Sequence, residues 1–328
     1  MFKKFFYMSL IVLLFLVSIF SFTGVSLAAE NVASPDGYKV VDKKVNHVTE
    51  NIYLEYKKDG QTKTITKQEF KNAEAKAKEE YNKHRQNKIY NTSKKATLSP
   101  NNINKKIKSP QATAASYLEV NTSATFDSNK KNITLTATIN KIIGTPPIII
   151  ITGYNLYSNK AVLGGFNKVA GLQKEWTGSQ IKVGQQTSKV YNVTSTNFWM
   201  TSSVITAGWA GGNPKTDTAQ SGPVLTNKKA QFYPNIYTEF MKKSMPIPER
   251  EDMKAVPIEK RVPWNNTLRG QYIKKFIDTY GDPKWDWSTA DIHHVVPREY
   301  GGTNNFSNLY PLTRELHQQV VSPWWVNY

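Results

Sequence analysis

Hydrophobic and polar residues alternate along several short stretches in the middle of the chain, as they do in β-strands that bury one face. In the clearest stretch, NITLTATIN, every second residue from Ile133 to Ile139 is apolar and threonines lie between them. The stretches PPIIIITGYNLYS, SKVYNVTS and SSVITAGW follow, with Gly, Asn and Pro between them. Strands at this spacing predict an antiparallel β-sandwich over residues 116–235, immunoglobulin-like or fibronectin-like in outline.

The residues before the sandwich predict a hairpin followed by a helix. The stretch NIYLEYKKDGQTKTITKQEF alternates on either side of Asp59-Gly60, a pair suited to a hairpin turn. Apolar residues then recur at helical spacing from residue 67 to about 89. Together they predict a small basic ββα piece over residues 30–90. It has too few large apolar residues to be stable alone, so we expect it to dock elsewhere or to act as a targeting element.

Two polar stretches without a hydrophobic period predict linkers. Residues 91–115 contain two prolines and many polar side chains, and residues 236–261 are rich in proline and charge. The first linker separates the ββα piece from the sandwich, and the second separates the sandwich from a final module over residues 262–328. The chain is therefore predicted to be a multidomain α+β protein.

The first residues predict an export signal. Lys3 and Lys4 precede an apolar run over residues 5–22, and the small residues of the stretch SLA follow. This pattern predicts a secretory signal peptide over residues 1–28, with an uncleaved membrane anchor as the alternative. The chain has no cysteine, so disulfides cannot stabilise it. A secreted, extracellular protein of a Gram-positive bacterium fits this composition better than a eukaryotic secretory protein.

Charge is distributed unevenly along the chain. The formal net charge is +18, but residues 247–328 are neutral, so the excess of lysine and arginine lies upstream. A basic surface there could steer nucleic acid or hold the protein on an anionic cell wall. The alternative is that the lysines only solvate a secreted surface.

The final module reads as helix, strand, loop, strand and helix. NNTLRGQYIKKFIDTYGDP carries one apolar helical face for about 14 residues, until Gly281 and Pro283 end the pattern. DIHHVVP predicts a strand that stops at Pro297, EYGGTNN a loop, NLYPL a second strand and TRELHQQVV a helix.

Three of the five histidines fall in this module, two of them adjacent. Because a hairpin folds back and the helix packs across it, His293, His294, Asn308 and His317 can converge on one point. His293 and His317 offer neutral imidazoles, which suit Zn, Ni, Co or Mn, and Mg with help from oxygens. Two protein ligands leave places for water and a phosphate oxygen, as in catalytic metal sites. His294 can serve as general base beside the metal, and Asn308 can hold it in register.

The order and spacing of these residues resemble the HNH, or ββα-metal, nuclease family in the His-His version of nuclease bacteriocins and secreted toxin modules. The residues that carry the resemblance are His293-His294, Gly301-Gly302, Asn308-Leu309 and His317. It covers about 30 residues directly. The resemblance implies one divalent ion (Mg, Mn, Zn or Ni), metal ligands at His293 and His317, a general base at His294 and an orienting Asn308.

One position departs from the family pattern. Val321 stands where the bacteriocin version often has another histidine. A third metal ligand would then come from water, from the substrate or from another side chain, for which Asp291 is the candidate. Many enzymes of this family work with two protein ligands, so the departure does not exclude activity.

Further residues near the motif are candidates for substrate binding. Arg298 can clamp a phosphate with two N–H groups, and Arg269 and Arg314 are further options. For each arginine a surface salt bridge is the alternative. Trp324 and Trp325 are expected to pack against the module, with stacking on bases as the alternative.

The sequence therefore predicts a secreted HNH endonuclease that hydrolyses phosphodiester bonds of DNA, or alternatively RNA, with little sequence preference. Two biological uses remain open: an antibacterial toxin, which would need an immunity protein, and degradation of extracellular DNA.

The rival hypothesis is a surface protein that binds a cell-wall polymer through its basic parts and sandwich, with a structural C-terminal module. Trp176, Trp199 and Trp209 could form a sugar-binding platform, although core filling is the favoured role.

Overall fold

A computed structural model describes residues 32–33, 38–41, 45–95, 115–249 and 253–328. The predicted signal peptide over residues 1–28 and most of the predicted linker over residues 91–115 lie outside the described residues. Within the described parts, each helix is too short or too polar to span a lipid bilayer.

The first strands are β1 (Val32–Ala33), β2 (Tyr38–Val41), β3 (Val45–Tyr56), β4 (Thr62–Thr64), β5 (Ser116–Asp127), β6 (Asn132–Ile143), β7 (Ile149–Asn159) and β8 (Asn167–Thr177). They are followed by β9 (Gln186–Asn192), β10 (Asn197–Gly208), β11 (Lys215–Thr226), β12 (Asn235–Thr238), β13 (Lys243–Ser244), β14 (Ala290–His294) and β15 (Leu309–Thr313). The α-helices are α1 (Lys67–Lys95), α2 (Asn266–Tyr280), α3 (Arg314–Leu316) and α4 (Ser322–Val326), with a π-helical turn over His317–Val321 between the last two.

Two antiparallel sheets pack face to face as a sandwich, as the alternating pattern predicted. One has the order β4-β3-β5-β6-β9 and the other the order β11-β10-β7-β8. Burial alternates along β5, β6 and β7, so that one face of each strand lies in the core. Trp176, Trp199 and Trp209 lie in this core and are at most 2% exposed. Their role is therefore core filling and not a surface platform.

The predicted hairpin forms, but its first strand belongs to the sandwich. β3 pairs with β5 along its whole length, from Val45 opposite Asp127 to Tyr56 opposite Ser116. Alternate residues of β3 are buried in the sandwich core. This burial explains why the predicted ββα piece is ordered although it has few large apolar residues of its own. α1 docks on the same sheet through Phe70, whose ring lies 5.2 Å from that of Tyr53. The ββα piece is thus not a separate unit.

Part of the predicted linker over residues 236–261 is also structured. β12 pairs with β2, and the short β13 pairs with β12, which gives the sheet β1-β2-β12-β13. Ile236 and Met245 are 0% and 3% exposed, respectively. Burial of these two side chains explains why a segment with no clear period forms strands here.

A second core joins this small sheet to the C-terminal residues, and we call it the tail core. Its buried members are Tyr38, Phe198, Leu225, Tyr233, Ile236, Met245, Val295, Tyr310, Leu312, Leu316, Val321, Trp324 and Trp325. Since Phe198 and Leu225 come from β10 and β11, the C-terminal elements pack directly on the sandwich. Trp324 and Trp325 are buried in this core, as expected.

The C-terminal elements follow the predicted order. α2 begins at its cap Asn265, whose side chain accepts a hydrogen bond from the Leu268 N–H, and it ends at Gly281. β14 and β15 form an antiparallel hairpin in which His293 lies opposite Tyr310 and His294 opposite Leu309. The final helical segment starts at Thr313, whose hydroxyl accepts from the Leu316 N–H.

A buried carboxyl group lies between the two sheets of the sandwich. Glu50 of β3 is 5% exposed and accepts hydrogen bonds from Thr201 Oγ1 at 2.5 Å and from Ser203 Oγ at 2.6 Å. Burial raises the pKa of Glu50, and the hydroxyl donors offset part of that effect. The protonated form is therefore favoured more in the folded chain than in the unfolded one.

We expect Glu50→Gln to stabilise the chain at neutral pH. Because the folded pKa is raised, the stability linked to Glu50 is present below the unfolded pKa and is lost as pH rises through the folded one. Glutamine cannot ionise, so it avoids this loss, and the two proteins should converge in stability at acidic pH. Urea unfolding at pH values from about 4 to 8 measures the difference. A variant less stable than the wild type throughout would contradict this account, and Glu175→Gln on the exposed face of β8 is the control.

Candidate active site

The hairpin of β14 and β15 positions two histidines at the end of a strand. Successive residues of a strand point to opposite sides, so His293 and His294 present their rings in different directions. The strand ends where the Val295 N–H donates to the main-chain oxygen of Asn308 and Pro297 follows. Both rings are buried, with 4% of His293 and 8% of His294 exposed.

His293 lies next to His317 of the π-helical turn. The two ring centroids are 5.2 Å apart. The Nε2 atom of His293 is buried and has no hydrogen-bond partner. Burial, and then the neighbouring His317 and His294, hold the pKa of His293 well below its usual value. The ring is therefore neutral, which is the form in which imidazole binds a metal ion.

Asp291 orients the ring of His317. Its Oδ2 atom lies 3.0 Å from His317 Nδ1, and its Oδ1 atom lies 3.6 Å from Arg314 Nε. With Nδ1–H donating to the carboxylate, the lone pair of His317 is on Nε2. A carboxylate in this position fixes the ring and increases its basicity as a ligand. Asp291, the sequence candidate for a third ligand, thus contacts His317 instead.

The residues present fit a metal ion held by two protein ligands. Among the described residues, no group of three or more His, Cys, Asp or Glu side chains is arranged to hold a metal. His293 and His317 remain as two imidazoles side by side, and water or substrate oxygens can complete such a site. Val321, at the place of the additional family histidine, is 0% exposed in the tail core and supplies no ligand.

His294 is held by residues that the sequence analysis did not identify. Its Nε2 atom lies 2.9 Å from Asn304 Oδ1, and its ring lies 4.9 Å from that of Trp264 in an edge-to-face arrangement. Burial lowers the pKa of His294. The nearby Arg298 and His317 lower it further, and the hydrogen bond to Asn304 opposes these effects. The ring is therefore neutral near pH 7, as a general base must be.

Asn308 braces the loop after β14 and does not contact the ring of His294 through a hydrogen bond. Its Oδ1 accepts from the Val296 N–H at 2.9 Å. Its Nδ2 donates to the main-chain oxygens of Val296 at 3.1 Å and Thr303 at 2.8 Å. Asn308 thus fixes the strand end that carries His294, while Asn304 contacts the ring.

A cleft of about 770 Å³ opens onto the three histidines, and arginines line it. Arg298 Nη1 donates to the Val262 oxygen at 3.0 Å. Arg269 Nη2 donates to the oxygens of Trp287 and Ala290. These bonds leave other guanidinium N–H groups for a ligand.

The other arginines divide between the cleft and its surroundings. Arg261, which the sequence analysis did not single out, also lines the cleft, and its Nε donates to the Val256 oxygen at 2.9 Å. Arg314 is not part of the cleft lining. It donates a hydrogen bond to the Ser288 oxygen, and its guanidinium group lies beside the Asp291 carboxylate. Arg314 therefore interacts with the Asp291 carboxylate and does not line the cleft.

None of the family models, curated proteins or solved structures compared with this chain matches it. The cleft itself holds two neighbouring imidazoles, a third buried imidazole beside them and a set of arginines.

We expect Gly302→Ala to disturb this site through the backbone. A Cβ atom on Gly302 would lie 1.6 Å from the main-chain oxygen of Val296, so the segment after His294 would have to move. A clash of this kind in a packed region costs about 1–3 kcal/mol. Urea unfolding measures the loss.

Gly270→Ala is the matched control for this prediction. Gly270 lies in α2, and a Cβ there meets nothing within 4 Å. Alanine should therefore raise stability, by up to about 1 kcal/mol. Equal stabilities of the Gly302→Ala variant and the wild type would contradict the prediction.

Proposed function

We propose that this chain is a metal-dependent endonuclease of the HNH type that hydrolyses phosphodiester bonds of DNA, with RNA as the alternative substrate. The observation that carries the proposal is the pair of His293 and His317 beside neutral His294 in one arginine-lined cleft. A buried imidazole nitrogen without a partner is costly in a structural site. It is expected where a metal ion binds.

His293 and His317 would hold the metal, with Asp291 fixing the ring of His317. When bound, a divalent ion stabilises negative charge on the phosphate and on the leaving oxygen. Because the protein would supply two ligands only, a bound ion would keep coordination places open toward the cleft. Water and a phosphate oxygen can fill these places.

His294 would take the proton from the attacking water. The water oxygen forms the new bond to phosphorus, and the bond from phosphorus to the 3′-oxygen breaks. The leaving 3′-oxygen takes a proton from solvent water and His294 releases its proton to solvent, so that the products are a 5′-phosphate and a 3′-hydroxyl. Arg298 and Arg269 would hold the phosphate through their free N–H groups. Both guanidinium groups are anchored to main-chain oxygens, which limits the entropy lost on binding.

Substrate affinity would rest on phosphate contacts and not on base reading. The cleft contributes three arginines, and the chain carries a net charge of +18. Such contacts weaken as salt concentration rises and carry no sequence information. We therefore propose low sequence specificity.

The predicted signal peptide suggests that the chain acts outside the cell. There it would serve as an antibacterial toxin, with an immunity protein as partner, or as a nuclease that degrades extracellular DNA. An immunity protein that masked the arginine-lined cleft would need an acidic surface. The gene beside this one in the genome distinguishes the two uses.

The purified chain should cut plasmid DNA in the presence of Mg, Mn, Ni or Zn, and chelation should stop the reaction. His294→Ala should lower the rate about 10²- to 10⁴-fold, the usual contribution of a general base. His47→Ala is the matched control, because His47 is exposed on β3 and outside the cleft. Agarose gel electrophoresis of plasmid conversion provides the rate.

Two results would contradict the nuclease. One is a plasmid left uncut in every metal, and the other is equal cutting by the wild type and a folded His294→Ala variant. If the protein leaves the plasmid uncut and binds a cell-wall polymer, the surface-binding hypothesis is favoured instead.

A further inference from the structure

Three consecutive residues before α2 each contact either a residue of the cleft or Asn304, which contacts His294. The Val262 oxygen accepts from Arg298, and the Pro263 oxygen accepts from Asn304 Nδ2 at 2.8 Å. The ring of Trp264 packs edge-to-face against the ring of His294. This short segment lies outside the histidine motif in sequence, yet Trp264 contacts the proposed general base directly, and Pro263 contacts it through Asn304.

The bond from Asn304 to Pro263 settles which way the amide of Asn304 points. A main-chain oxygen only accepts hydrogen bonds, so the Asn304 atom beside it must be the NH₂ group. The other end of the amide, which faces His294 Nε2 at 2.9 Å, must then be the carbonyl oxygen. That oxygen also only accepts, so His294 Nε2 must carry the hydrogen.

We infer that Asn304 is the positioning residue of His294, which it holds in the tautomer protonated at Nε2, so that the lone pair on Nδ1 receives the proton of the attacking water. The inference rests on the proposed function. The residue that controls the tautomer of His294 is thus Asn304 and not the Asn308 of the motif. Both ends of the Asn308 amide are bonded to main-chain groups of Val296 and Thr303.

The neighbours of His294 favour one orientation of its ring. A rotation of the ring by half a turn would place a carbon atom opposite Asn304 Oδ1 and lose the hydrogen bond. Trp264 packs beside the ring at 4.9 Å and restricts intermediate positions. A base held in one tautomer and one orientation needs no rearrangement before it reacts.

Asn304→Ala should lower kcat about 10- to 100-fold, as substitutions of residues that orient a reacting group usually do. KM should change little, because Asn304 does not line the main cleft. Asn304→Asp keeps an acceptor for Nε2–H and should recover part of the loss. The matched control is Asn305→Ala, since the side chain of Asn305 is exposed and should leave both constants unchanged. A kcat of Asn304→Ala equal to that of the wild type would overturn the inference.

A direct measurement of the tautomer does not depend on activity. The full chain, labelled with ¹⁵N in its five histidines and kept free of metal with a chelator, is studied by NMR at about pH 8, where an ordinary histidine is neutral. His294→Gln identifies the signals of His294. We expect a protonated Nε2 and an unprotonated Nδ1 in the wild type, and a mixture of both tautomers in Asn304→Ala.

The outcomes separate this inference from the nuclease proposal. A wild-type ring protonated at Nδ1 overturns the inference, whether or not DNA is cut and whether or not the Asn304 variant folds. The same holds if the tautomer is unchanged in a folded Asn304→Ala variant. If the tautomer behaves as expected while the wild type cuts no DNA in any metal, the nuclease proposal fails and the control of the ring by Asn304 stands.

Discussion

The pairing of β14 with β15 is the constraint on which the candidate site depends. It keeps His293 and His294 in extended conformation, so that their rings point to opposite sides of the strand. The ring of His293 lies beside His317, and the ring of His294 lies beside Asn304 and Trp264. A shift of one residue in this register would exchange the two rings. The side chain of Asn308 and the close approach of Gly302 to Val296 hold the end of the hairpin in place.

The tail core gives this small hairpin its support. A two-stranded hairpin is marginally stable by itself, but Tyr310 and Leu312 of β15 are buried with Trp324, Trp325 and residues of the sandwich. Tyr310 also donates a hydrogen bond to the Lys243 oxygen at 2.9 Å. The sandwich and the candidate site are therefore parts of one packed body, and changes in the tail core should reach the cleft.

Local patterns predicted the elements better than they predicted their partners. Alternation along β6 and β7, the helical period of α2 and the strand that carries His293 were all readable from the sequence, because each depends on neighbours in the chain. The pairing of β3 with β5 was not, since the two strands are separated by many residues and nothing local marks the contact. β12 was missed for the same reason, because β2, far upstream, supplies its partner strand.

The candidate site shows the same division. Histidines at family spacing pointed to His293, His294 and His317, and the structure brings them together. Asn304 appeared only as part of a turn-rich stretch, and its bond to His294 arises from the closure of the loop against Pro263. The contact of Asp291 with His317 was likewise invisible, because it depends on how the helical segment packs across the hairpin.

The central claim is that two imidazoles hold one divalent ion, and anomalous diffraction from crystals soaked in Zn or Ni tests it most directly. The account predicts one strong peak about 2.0–2.1 Å from Nε2 of both His293 and His317, with oxygen ligands filling the remaining places. Crystals of a folded His317→Ala variant should lose that peak. No peak between these two rings at any soaking concentration, with the rings still side by side, would contradict the account.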